Sequence, residues 1–229
     1  MFNNFSKAAL GAGLAIAAIS APASAQVNGM ATSDISVAVA GSTALQTGFQ
    51  QISETYTAQI TQLEQLQTQR NGLLQQLDTN GDGQLDEAEA AAATESNPVV
   101  QQIGSLDQQI NTVQAPIQLA RLFVVNQVGQ QYAPSVQQVM AAQNIQIMLA
   151  PEAVTFANDE SFNVTQAVTT AINGLLPAVS ITPPAGWQPN QATVDLYEQV
   201  QQVFAIAIAQ QQQAAAANGT AQQPAAVGR

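Results

Sequence analysis

The chain has 229 residues and a net charge of −11, from 15 acidic and 4 basic side chains, and it contains neither Cys nor His. This excludes thiol nucleophiles, disulfides, His-dependent triads and the usual zinc sites, and argues against nucleic acid or anionic lipid held on a positive surface. Only 5% of residues are aromatic, and the abundant Gln and Ala suit long helices better than a thick core. Residues 1–25 read as a secretory signal. Lys7 supplies the positive start, 8–19 a short apolar run, and Ala23, Ser24 and Ala25 a small-residue cleavage site after Ala25. The apolar run is too short to cross a bilayer, the alternatives being an uncleaved anchor or a buried helix. The expectation is export to the periplasm with no stable membrane insertion.

Residues 26–33 form a polar lead-in, and 35–39 (Ile-Ser-Val-Ala-Val) alternate as a strand does. Ser42 or Thr43 then caps a long helix over about 43–77. Leu45, Phe49, Ile52, Tyr56, Ile60, Leu63, Arg70, Leu74 and Leu77 step by threes and fours along it, with Leu66 or Gln67 filling the gap before Arg70, a heptad-like seam with Gln and Thr elsewhere. Such a helix is roughly 50 Å long, and its narrow stripe needs a partner.

Residues 78–89 have the spacing of an EF-hand calcium loop. Asp78, Asn80 and Asp82 stand at loop positions 1, 3 and 5, Gly83 at the sharp turn, and Gln84 offers a backbone carbonyl at position 7. Asp86 falls at position 9, often acting through water, and Glu89 at position 12 has two oxygens to give. Leu85 has the apolar side chain that such loops bury. A hard cation needs several oxygens at fixed spacing, so Ca2+ is the cofactor this run points to. The alternative is an Asx-rich turn that caps two helices and holds no ion.

A short helix follows over 87–94, broken at Ser96-Asn97-Pro98. A returning leg over about 98–142 carries Ile103, Leu106, Ile110, Val113, Ile117, Val124 and Val128 at the same spacing. The two legs are expected to pair antiparallel, with the loop near the tip. Pro116 and Pro134 each predict a kink or break one turn upstream, read either as flexibility or as a bend around a cavity. Strands are expected at 145–149 and 154–156, then a helix over 164–176 capped by Asp159 or Ser161, with Val168, Ile172 and Leu175 on one face. Residues 178–190 make a Pro-rich linker in which Trp187 either docks or stays exposed. A last helix spans 191–213, and the low-complexity 214–229 is expected to be disordered. The fold class is α+β: a long helical hairpin on a small β body, plus an extra C-terminal helix.

This order of elements over 34–177 resembles the Skp/OmpH family of periplasmic chaperones. The local matches are 35–42 (Ile-Ser-Val-Ala-Val-Ala-Gly-Ser), 145–149 (Ile-Gln-Ile-Met-Leu), 153–156 (Ala-Val-Thr-Phe) and 163–168 (Asn-Val-Thr-Gln-Ala-Val). The resemblance implies a homotrimer. Strands 35–39, 145–149 and 154–156 would form its body, and three hairpins would enclose a cavity that holds unfolded outer-membrane proteins without ATP. Two features depart from the family. Its well-studied members are strongly basic whereas this chain is acidic, and the helix after Trp187 lies outside the family core.

The reading is therefore an ATP-independent holdase with a calcium-stabilised tip. The alternative is a calcium-binding structural or adaptor protein of the envelope. Paired carboxylates outside the loop are too few for general acid–base work, so neither an enzyme nor a small-molecule substrate is expected.

Overall fold

The computed structural model describes residues 29–220, except 85, 95 and 157–159. The signal segment, Leu85, Asp159 and the end of the tail lie outside the described residues. The chain is mostly helical, with a two-stranded sheet in which β1 (Met30–Thr32) pairs parallel with β2 (Ile147–Leu149). Met30 stands opposite Ile147 and Thr32 opposite Leu149.

The first strand thus lies in the lead-in, five residues ahead of its expected place. Residues 35–39 belong instead to helix α1 (Ile35–Ala40). Five alternating residues suit a short helix as well as a strand, and here the cap decides. Asp34 Oδ1 accepts from the Val37 N–H at 3.1 Å and from the Ser36 hydroxyl at 2.6 Å, which satisfies donors that a strand would have had to pair. Ser36, Ala38, Val39 and Ala40 are then buried.

Ser42 caps the next helix as expected, accepting from the Leu45 N–H at 3.3 Å. The first leg is two helices, α2 (Thr43–Thr55) and α3 (Thr57–Leu77). Tyr56 separates them with φ −101° and ψ 20°. The bend is mild, because Tyr56 N still donates to Ile52 O and Ile60 N to Tyr56 O, both at 2.9 Å. After the loop, α4 (Glu87–Ala92) is shorter than expected.

Helix α5 (Pro98–Gln130) starts on the Asn97 cap and runs through Pro116 unbroken, where a kink or break one turn upstream was expected. Ile117 and Ala120 are buried on the same stretch, so packing outweighs the missing hydrogen bond. The second break does occur. Gln131 separates α5 from α6 (Tyr132–Gln143), three residues ahead of Pro134.

Asn144, in the left-handed region at φ 57°, ends α6. Strand β2 is only the last part of the expected 145–149. No strand forms at 154–156: a 3₁₀ turn over Pro151–Ala153 precedes it, and Phe156 is 81% exposed. Three residues after a turn, with no neighbouring edge to pair with, do not make a ladder. Helix α7 (Thr165–Leu175) buries Val168 and Ile172 but leaves Leu175 exposed.

Trp187 docks edge-on against Phe123, with ring centroids 5.0 Å apart at 69°. Gln127 holds the same arm: its Nε2 donates to Ser180 O at 2.8 Å and its Oε1 accepts from Ser180 N at 3.0 Å. Helix α8 (Gln191–Thr220) extends seven residues beyond its expected end, through residues expected to be disordered. Alanine, the strongest helix former, carries it on.

The core gathers at one end. Leu45 and Ile52 of α2, Val124, Val125 and Val128 of α5, Ile172 of α7 and Val200 of α8 are fully buried. Phe204 of α8 meets Phe49 of α2 edge-on at 6.3 Å. Away from this base, α3 buries only Leu66 and Leu77. Along the pair, Gly48 lies against Val124 and Arg70 bonds Asp107 at 2.6 Å, so the later residues of one leg meet the earlier residues of the other. Both side chains of that ion pair are over a third exposed, which limits it to about 1 kcal/mol or less.

Gly48 permits the close approach of α2 to its neighbours. A Cβ there would stand 2.7 Å from Val179 Cγ2 and 2.9 Å from Val124 Cγ1, and valine is stiff at χ1. Gly48→Ala is expected to destabilise by about 1–3 kcal/mol. Gly72→Ala, where nothing lies within 4 Å, is expected to stabilise by about 0.5–1 kcal/mol. Denaturant melts of the two variants check this reversal of sign.

Candidate functional site

The loop at the far end of α3 is ordered by its own backbone. Asp78, at the C-terminus of α3, accepts from Gly81 N at 2.7 Å through Oδ1 and from Gly83 N at 2.8 Å through Oδ2. Asn80 Oδ1 accepts from Asp82 N at 2.9 Å, and Asp82 Oδ1 from Gln84 N at 2.8 Å. Gly81 and Gly83 sit at φ 73° and 82°, the left-handed conformation that glycine adopts without a steric penalty. The loop closes with a capping box: Asp86 Oδ1 accepts from Glu89 N at 2.9 Å, and Glu89 Oε2 accepts from Asp86 N at 3.2 Å.

Glu89 ties the two ends of the loop together. Its Oε1 accepts from Thr79 N at 2.6 Å, Asn80 N at 2.9 Å and the Thr79 hydroxyl at 2.9 Å. It is 6% exposed. The Asn80 N–H does most to hold its carboxyl below the usual carboxylate range. Lost solvation opposes this, and the bonds from Asp86 and Thr79 add to the lowering. Loss of that charge removes an acceptor on which the loop's two ends converge.

Of the six expected calcium ligands, three have side chains that approach one another. Asn80 Nδ2 lies 3.1 Å from Asp82 Oδ2 and 3.4 Å from Asp86 Oδ2. Asp78 and Glu89 instead aim their carboxylates at backbone N–H groups, and Gln84 is exposed. Among the described residues no group of three or more Asp or Glu is arranged to hold a metal ion. The donor set fits calcium by type, all hard oxygens. Its arrangement is that of a turn satisfied by its own amides.

Among the hollows elsewhere are two that matter here. One, of about 510 Å3, runs between α3 and α5 and is lined by Leu73 and Leu106 among Gln69, Gln76, Gln102 and Gln109. This matches the weakly apolar, Gln-rich leg surface expected from the sequence. The other, of about 730 Å3, opens at the base beside Tyr132. The Tyr132 hydroxyl donates to Ser33 O at 3.0 Å, and burial, with a smaller contribution from the Asp34 charge, pushes its pKa up. Four separate stretches of chain build this hollow, and no local motif announces it.

No protein-family model matches the chain, and no curated protein matches it. Among solved structures it is similar to the crystal structure of a candidate outer membrane chaperone (OmpH-like) from Caulobacter crescentus CB15. The two are 19% identical, with 68% of this chain and 90% of that chain covered and a TM-score of 0.40. A likeness at that level carries no conclusion about fold or activity.

Proposed function

We propose that the chain is an ATP-independent holdase of the periplasm that binds unfolded outer-membrane proteins along its legs. The observation that carries this reading is the contrast between a densely buried base and a thin two-helix leg whose groove is lined by uncharged Gln around isolated Leu. Such a surface offers hydrogen bonds and small apolar contacts to many sequences. Binding of this kind makes and breaks no covalent bond. A homotrimer, as in the family the sequence resembles, would set three legs around one client.

Calcium at the tip belongs to the same proposal. Asp78, Asn80, Asp82, Asp86 and Glu89, with the Gln84 carbonyl, would hold the ion, which would offset repulsion among the clustered carboxylates and stiffen the end of the leg. The ion would have to draw Glu89 away from Thr79 and Asn80.

The test is light scattering of a denatured outer-membrane protein diluted into buffer with the chain residues 26–229, with calcium and with chelator, beside a mass measurement. Suppressed aggregation and a trimer mass are expected, together with slower proteolysis of the tip in calcium. Undiminished aggregation would overturn the holdase reading. Equal tip proteolysis with calcium and chelator would overturn the calcium role. Recovery of one stoichiometric folded partner without suppression would favour an envelope adaptor.

A further inference from the structure

The hollow of about 730 Å3 sits at the carboxyl ends of both parallel strands, between the start of α1, the turn after β2 and one face of α8. Its volume is that of a ligand site. The fold builds it in advance, because α8 is fastened by fully buried Val200 and by Phe204 on Phe49. Its apolar lining includes Val37, Met148, Val203 and Ile206. Two of them, Val37 and Ile206, remain 44% and 57% exposed, so the apolar surface continues out to the mouth.

The charged groups in the lining are all acidic. Asp34 and Glu152 are there and no Lys or Arg is. Asp34 gives Oδ1 to the α1 cap, and Glu152 is exposed in the turn after β2.

We infer that this crevice is a docking site for an extended segment of another protein in which aliphatic side chains stand next to Lys or Arg. The aliphatic groups cover Val37, Met148, Val203 and Ile206. The cation meets Glu152 and Asp34. Acidic segments and anions are repelled by the two carboxylates. In a chain of net charge −11, attraction of basic segments also hastens the encounter. The site lies at the base, away from the leg groove, and its test is separate from that of the holdase reading.

The probe is a fluorescein-labelled peptide, Gly-Lys-Leu-Val-Leu-Arg-Gly, and its counterpart with Glu for both basic residues, titrated by anisotropy. The basic peptide is expected to bind, more weakly as salt rises, and the acidic one is not. Ile206→Lys should weaken binding by about tenfold or more, since it sets a like charge in the crevice. Glu152→Gln should cause a smaller loss and flatten the salt dependence. Ile208→Lys, equally exposed on the same helix but outside the lining, should leave binding unchanged. Circular dichroism confirms that each variant is folded. Equal binding of both peptides, or equal loss in Ile206→Lys and Ile208→Lys, would overturn the inference. So would a self-associated chain that excludes the peptide and that Ile206→Lys dissociates, because a second copy would then own the crevice. A holdase that fails to bind the peptide would sink this site alone.

Discussion

Ile52→Ala is expected to cost about 2–5 kcal/mol, the range for emptying a fully buried aliphatic site. That should lower the melting temperature by on the order of 10 °C in a chain of this size. Ile52 is 0% exposed and stands one turn before the Tyr56 bend, where α2 gives way to the thin part of the leg. It belongs to the same buried cluster as Val124 and Val128 of α5. The base supplies the dense packing that holds the two legs together, so its loss is not made up further out. Ile208→Ala, at 55% exposed, should stay within about 0.5 kcal/mol of the parent. Thermal denaturation followed at 222 nm separates the two, and equal small losses would mean that the base is not the stabilising unit.

Glu89→Gln is expected to loosen the tip and leave the base untouched. The charged carboxylate accepts from Thr79 N, Asn80 N, Asp86 N and the Thr79 hydroxyl. The amide keeps the shape, loses the charge and turns a donor toward one of these donors. Amide exchange at Thr79, Asn80 and Asp86 should quicken by on the order of tenfold, with the buried amides of α2 and α7 unchanged. The pH dependence follows from the lowered pKa. A carboxyl held below its unfolded value contributes stability above that unfolded value, and the contribution is lost as pH falls through the folded value. Tip protection at Thr79 and Asn80, corrected for intrinsic exchange, should therefore decline on acidification below the ordinary Glu range more steeply in the parent than in Glu89→Gln. A parent tip indifferent to acid would contradict the assignment of Glu89 as its closing group.

The two leg stripes were legible from spacing, and so were the Ser42 cap and the break ahead of Pro134. The reason is local. A step of three or four places side chains on one helical face whatever lies opposite, and a cap or a proline acts on its own turn. Of the strands, β2 was legible in part, as the end of the expected 145–149, and β1 was not. Residues 35–39 alternate, yet Asp34 caps them into a helix, while Met30–Thr32 forms β1 because Ile147–Leu149 comes alongside. A three-residue strand carries too little pattern to be seen without its partner. The absence of a break at Pro116 has a similar cause, since the packing around Ile117 and Ala120 is a property of neighbours.

For the loop, residue types and intervals already specify the oxygens that a hard cation would find. Which hydrogen bonds those oxygens make is a matter of three dimensions: Glu89 reaches ten residues back to Thr79. Trp187 was open between two roles until Phe123 was seen beside it. The crevice at the strand ends had no trace in any single stretch, because α1, β2, α6 and α8 each contribute only part of its wall. Charge, helix periodicity and ligand spacing are carried by the chain alone, since each depends on near neighbours. Strand pairing, the docking of the arm and the hollow at the base depend on residues distant in sequence, and only their packing together decides them.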